Sequence, residues 1–423
     1  MRLLVHSAGA IALLLSLSTA GLGQTRSPEQ VARAALKAAP VWDGHNDVPE
    51  QLRDRRKNVL GAFDFTDTSG TADPANKLAA MQTDLKRMRA GRIGAQFWSV
   101  YVSANLSDQQ AVQATLEQID VTRRLVARYP DDLMLCLDSA CVEAAWKKGR
   151  IASLMGMEGG HSIGGSLAVL RQMYALGARY MTLTHFKNNA WADSGTDAPL
   201  HNGLTPLGKD VVREMQRLGM LVDLAHVSEK TMLDALAIAK APVIVSHSNA
   251  FALNRHPRNV PDTVLDAIKA NGGIVMVNFY PPYVLEAARL WNAERDAVQA
   301  RLKSLYRGNP AAADAALAAW DQANPMPRGS IRDVADHLDY IMKRIGADHV
   351  GLGGDLDGIE VTVAGMEDAS TYPALFIELA RRGWSQQDLE KLASRNMMRV
   401  LKGAEAYAAG QRGTPPYENP VSF

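Results

Sequence analysis

The strongest constraint on how this 423-residue chain can fold is an alternation. Eight apolar, strand-like runs begin near residues 41, 93, 151, 179, 220, 242, 273 and 349, with helical patterns between them. Near-continuous apolar strands separated by crossover helices imply a parallel sheet covered on both faces. Eight such units predict an α/β fold of the (β/α)8 TIM-barrel type. An open doubly wound sheet is the competitor, but no Gly-rich phosphate loop follows the first run.

Local signals mark the helices. Ser27-Pro28-Glu29-Gln30, Thr205-Pro206, Ser228 and Ser330 with Asp333 open helices, and Gly177, Gly219, Gly272 and Gly346 close them. The same reading predicts a long polar loop over residues 50–76, a helix from about Pro74 to Ala90, and a helix from about Ser107 to Tyr129. Leu133–Leu137 reads as a minor strand outside the main sheet. A terminal helix is expected over residues 385–402. Residues 284–328, Ala-rich and charged with helical spacing, form an insertion after the seventh strand: a lid, a dimer contact or a surface hairpin. Residues 24–423 are otherwise expected to form a single domain.

Before residue 24 lies a different kind of segment. Arg2 precedes an apolar run from Ala8 to Leu17 and small residues to Gly23, the pattern of a secretory signal peptide over residues 1–23. The expectation is an exported protein, periplasmic or secreted, with no membrane anchor. A formal charge of +1 gives no reason to expect nucleic acid as a partner. Cys136 and Cys141 are the two cysteines; one sits in an apolar run and the other begins a helix, so both are read as free buried thiols.

In a (β/α)8 barrel the C-terminal ends of the strands open onto one face, where active sites are built. The polar residues at those ends are His45, Asp47, Glu158, His185, His226, His247 and Asp355. His45 and Asp47, two apart in an extended run, can reach one point together. Zinc takes about four ligands, so this inventory exceeds one ion and suggests two, bridged by Glu158, whose carboxylate offers two oxygens. Alone, His226 and His247 each read as buried core histidines; both ending strands one βα unit apart favours the ligand reading. Asp355 is preferred to Asp357 because strand alternation turns the latter away. His161 reads as fixing the loop around Glu158, and His201, His337 and His349 as packing or surface residues.

The chain resembles the membrane (renal) dipeptidase family within the metal-dependent amidohydrolase superfamily. The resemblance is carried by Asp43-Gly-His-Asn-Asp47, Met157-Glu-Gly-Gly-His-Ser162, Met181-Thr-Leu-Thr-His185 with Trp191-Ala-Asp193, Asp223-Leu-Ala-His-Val-Ser228, Ser246-His-Ser248, His256-Pro-Arg-Asn-Val260, Val277-Asn-Phe-Tyr280 and Gly353-Gly-Asp-Leu-Asp-Gly358. These run in family order over about residues 28–405. The resemblance implies a binuclear zinc dipeptidase acting on dipeptides by attack of a metal-bridged hydroxide. It implies His45, Asp47 and Glu158 on one Zn2+, and Glu158, His226 and His247 on the other. Asp355 would shuttle the proton, His185 would polarise the carbonyl or steady the oxyanion, and Arg258 would bind the substrate carboxylate. Tyr283 matches a substrate contact by spacing.

Two departures bear on specificity and assembly. Lys187 stands where some members carry a cysteine, so a disulfide-linked dimer is not carried over, and a homodimer is left open. The 284–328 insertion exceeds the compact connection of the animal members. Two other functions share this scaffold: an amidase acting on N-acyl amino acids or other small amides, and a catalytically silent binding protein.

Overall fold

The computed structural model describes residues 26–76 and 78–420; the signal-peptide expectation therefore lies outside the described residues. Nine parallel strands form one sheet: β1 (Val41–Asn46), β2 (Ile93–Tyr101), β3 (Leu133–Leu135), β4 (Ile151–Glu158), β5 (Ala178–Thr182), β6 (Leu221–Asp223), β7 (Ile244–Val245), β8 (Ile274–Val277) and β9 (Val350–Leu352). The order is β2-β1-β9-β8-β7-β6-β5-β4-β3, and β2 also pairs with β4. That pairing closes eight strands into the expected TIM barrel. β4 makes the ninth strand possible by dividing one edge: Ile151–Ser153 pairs with β3, and Met155–Glu158 pairs with β5. β3 thus lies outside the closed barrel but is paired into its sheet, not outside the sheet as the sequence suggested.

The strands are almost wholly buried, with helices packed around them. Helix starts follow the sequence signals. Ser27, Ser107 and Ser330 each form a reciprocal capping box with the third helical residue, and Thr205 and Ser228 each accept a backbone N–H. Each such cap satisfies amide groups that the first turn leaves without helical partners.

Four expectations fail locally. The polar stretch after β1 begins as a helix, Val48–Arg56, of which only Val48, Pro49 and Leu52 are buried; so thin an apolar face gives little periodicity to read. The helix expected over Pro74–Ala90 is a single 3-10 turn, Pro74–Asn76, and a separate short helix, Leu85–Ala90. Asp84 divides them: its side chain caps the second helix through the Arg87 N–H and also accepts the Thr68 N–H. The terminal helix is interrupted by a wide turn at Lys391–Arg395 before running from Asn396 to Gly410. Finally, Cys136 and Cys141 are joined in a disulfide rather than free. Leu137 and Asp138 turn the chain so that the two α-carbons lie 5.3 Å apart, within bridging reach.

The insertion is a pair of helices, Glu286–Leu305 and Pro310–Ala323. Val298, Leu302, Ala313 and Leu317 form a small apolar cluster of their own between them. No helix among the described residues is long and apolar enough to cross a membrane.

Candidate active site

Glu158, the last residue of β4, stands at the centre of the barrel mouth. Its Oε2 lies 3.4 Å from His45 Nε2, while its Oε1 lies 2.9, 3.4 and 3.7 Å from the Nε2 atoms of His226, His247 and His185. The two oxygens of one carboxylate therefore address two different groups of donors. On the Oε2 side, His45 Nε2 is also 3.2 Å from Asp47 Oδ2 and 3.8 Å from Asp355 Oδ1. All seven strand-end residues identified from sequence come together here, and all are buried.

Local geometry explains how they converge. His45 is the penultimate residue of β1, but Asp47 lies beyond the strand, at the start of the next helix. The chain bend replaces strand alternation in bringing the pair together. His226 and Asp355 have positive φ angles of 67° and 61°, a backbone region that side chains with a Cβ enter at a cost and that clusters at functional sites. Asp357 also has a positive φ, 67°, and its Oδ1 accepts the Gln82 N–H outside the cluster. Asp355, not Asp357, faces the donors, although a turn after β9 sets this rather than strand alternation.

A second set of contacts holds two of the imidazoles from behind, whereas His226 Nδ1 is buried without a partner among the described residues. His45 Nδ1 is 2.8 Å from the Tyr180 hydroxyl. Gly156 makes room for that ring: a Cβ there would lie 1.9 Å from Tyr180 Cζ. His247 Nδ1 is 2.8 Å from Ser246 Oγ, which donates to Asp223 Oδ2 at 2.6 Å. Asp223 also accepts from the Thr182 hydroxyl. Fixing the far nitrogen orients the near one, the usual arrangement behind a metal-ligating histidine. Asp43 ties the two ends of the barrel seam: it accepts from the His45 and Gly354 N–H groups and from the Tyr372 hydroxyl. Asn278 donates to Asp355 Oδ2 at 2.7 Å, leaving Oδ1 toward the cluster.

The donor set fits cations. His45 Nε2 and both oxygens of Asp47 are buried without a hydrogen-bond partner, a costly state for polar atoms unless something else engages them. Three groups of ligand atoms could each hold an ion: His45, Glu158 and His247; Glu158, His185 and His226; and His45, Asp47 and Asp355. Protonation follows from burial and charge. Burial pushes the Asp355 carboxyl well up against the opposing pull of His45, with Asp47 and Glu158 adding to the rise. Burial also tends to raise Glu158, but His45 and the hydrogen bonds from His226, His247 and His45 outweigh it and hold the carboxyl well below its usual range. His185 is depressed to about 4, first by burial, with Glu158 opposing and Arg258 adding to the effect; its imidazole is neutral at neutral pH.

A cavity of about 440 Å³ opens above the cluster. Arg258 lines it from one side, only 1% exposed, donating to Ser248 Oγ and the His247 carbonyl while its Nε has no partner. The Tyr283 ring lies 5.2 Å from that guanidinium. Both expected substrate contacts therefore reach the cavity wall.

With this geometry in view, a profile of the family described as Membrane dipeptidase (Peptidase family M19) matches residues 29–414. The chain belongs to the membrane dipeptidase family. Dipeptidase tcpJ of Claviceps purpurea (strain 20.1) is 40% identical over 383 residues, 88% of this chain and 79% of that protein. Among solved structures, the probable dipeptidase PvdM from Pseudomonas aeruginosa superposes with a TM-score of 0.75 at 23% identity, over 90% of this chain and 99% of that one. A metallo peptidase from Rhodobacter sphaeroides, liganded with a phosphinate mimic of the dipeptide L-Ala-D-Ala, gives 0.69 at 23% identity, over 86% and 99%. The fold is that of the family, and family and relative together make the chain a metallo-dipeptidase.

The cavity wall also carries Glu50, Tyr101, Phe186, Asn292 and Glu360, which no sequence motif marked, and Tyr280, which a motif included without a role. Glu50 was hidden by the missed helix after Asp47. A carboxylate one turn beyond a strand-end ligand is the signal that could have found it.

Proposed function

We propose that the protein is a zinc-dependent dipeptidase of an exported compartment, periplasmic or secreted, built as one catalytic domain. The observation that carries the reading is the division of Glu158: one oxygen toward His45, which itself meets Asp47, the other toward His226 and His247, in the same cavity as Arg258. His45, Asp47 and Glu158 would hold one ion and Glu158, His226 and His247 a second. When bound, such a pair supplies Lewis acidity to a peptide carbonyl and makes a water acidic enough to ionise near neutral pH.

The chain's own groups do the rest. Arg258 pairs with the C-terminal carboxylate of the dipeptide, offering a planar fork of donors that suits two oxygens, and Tyr283 packs over the guanidinium. His185, neutral at working pH, donates to the carbonyl oxygen as negative charge develops there. Asp355 Oδ1 takes a proton from the attacking water and returns it to the departing amine, with Oδ2 pinned by Asn278. The leader pattern at residues 1–23 supports export.

Metal analysis of the purified protein, coupled to a panel of dipeptides, their C-terminal amides and N-acyl amino acids, tests this reading. Two zinc ions per chain and turnover restricted to free-carboxylate dipeptides are expected. Two bound ions with no dipeptide hydrolysed would sink it. Mass analysis of the secreted or periplasmic protein tests the removal of the leader.

A further inference from the structure

Five carboxylates line the cavity, and two of them, Glu50 and Glu360, stand outside the donor cluster. Glu50 occupies the first turn of the helix Val48–Arg56. Its Oε1 accepts from Arg53 Nη2 at 3.1 Å. That guanidinium is shared, since Arg53 also donates to Asp54 at 2.8 Å and to the Tyr101 carbonyl at 2.7 Å. One arginine thus serves two carboxylates, and Glu50 Oε2 takes no hydrogen bond from any described residue.

The cavity is polar along its length. Arg258, buried and with an unpartnered Nε, acts electrostatically on His185, His226 and His247. Glu50 instead feels Asp47 and Glu158, the Oε2 side of the cluster. Burial, then the Asp47 charge, raises its carboxyl against the pull of Arg53, so the site lacks a cationic partner beyond that shared arginine, and an ammonium or guanidinium arriving there favours the ionised carboxylate and pairs with it. Asp47, Glu50 and Arg258 line this one cavity, so a dipeptide whose carboxylate met Arg258 and whose peptide bond lay over the cluster would send its amino-terminal residue toward the Asp47 side and Glu50. Glu360 stands on the same wall beyond Gly358 and is exposed.

We propose that Glu50, with Glu360 at the rim, forms a subsite for a cationic group carried by the amino-terminal residue of the substrate. This rests on the dipeptidase reading and deepens it: Glu50 is the specificity-determining residue that favours an ammonium or guanidinium over a neutral group at that end. Two sources share the chemistry, the α-amine and a basic side chain, and kinetics separate them.

The test compares the metal-loaded full chain with E50Q on lysyl-alanine against norleucyl-alanine, and on alanyl-alanine against propionyl-alanine, each as substrate or competing ligand. The unsubstituted protein is expected to prefer the charged member of at least one pair by about tenfold in kcat/KM or affinity. E50Q should shrink that preference through KM. A smaller lysyl-to-norleucyl ratio assigns the subsite to the side chain, and a smaller alanyl-to-propionyl ratio assigns it to the α-amine. A general structural defect would lower all four substrates alike and leave both ratios standing, which overturns the proposal. The ratios of the unsubstituted protein need no variant: no preference in either pair also overturns it. Turnover of alanyl-alanine in that same protein keeps the dipeptidase reading intact, whereas hydrolysis of no dipeptide removes both.

Discussion

The Nε2 atoms of His226 and His247 face each other at 2.9 Å, and both face Glu158 Oε1, at 2.9 and 3.4 Å. Neutral imidazoles meeting this way can share one proton at most, because each has one donor and one acceptor nitrogen. A divalent cation held by Glu158, His226 and His247 would relieve that shortage of protons. Glu158→Gln keeps the size of the side chain and removes its charge. It should lose bound metal and activity together, and chelation of the unsubstituted protein should lower Tm by on the order of 5 °C. Elemental analysis beside a thermal melt checks both. Full metal content in the variant would contradict the central role given to Glu158.

Asp355 tests the proton path separately from the ligands. Asp355→Asn preserves the hydrogen-bonding shape on Asn278 and should retain most of the metal while kcat falls about 10²- to 10⁴-fold. The measurement is single-substrate kinetics on protein of known metal content. A wild-type rate would remove Asp355 from the mechanism.

The strand ends were legible because most barrel strands deliver a chemically distinctive residue to the same face, so His226, His247 and Asp355 could be placed without knowing the loops. What sits between strands was harder. Val48–Arg56 buries only a narrow apolar stripe, so charge disguised it as a loop, and Glu50 vanished with it. Asp84 breaks a stretch that carries helical spacing, because its side chain has two backbone amides to satisfy. The disulfide was invisible for a related reason: Cys136 and Cys141 looked like members of two elements, and only the turn between them brings the sulfurs together.

His256 gives a pH prediction away from the proposed ligands. Burial, reinforced by Arg258 and Arg289, depresses its pKa to about 3, and its Nδ1 accepts the Arg258 N–H. The unfolded value is near 6.5, so the unfolded chain gains the proton first as pH falls. The stabilisation from neutral His256 is complete above about pH 6.5 and is lost progressively toward pH 3. His256→Asn should therefore lose stability less steeply than the parent across that window. Urea unfolding at several pH values compares the two slopes; parallel curves would contradict the neutral state assigned to half-buried His256.

Tyr372 reaches from an outer helix to Asp43, the carboxylate that also holds the His45 and Gly354 amides. Tyr372→Phe deletes that donor in a closed site and should cost about 1–3 kcal/mol of stability. Denaturant unfolding reads the loss, and an unchanged midpoint would show that Asp43 does not depend on the hydroxyl.

The two-helix insertion holds a separate small core at Val298, Leu302, Ala313 and Leu317 and places Asn292 on the cavity wall. The barrel supplies the converging donors from strands that the insertion does not contribute to. Inheritance can therefore act on the two parts at different speeds. Changes in the hairpin can alter the cavity wall at Asn292 while leaving the strand-end donors in place.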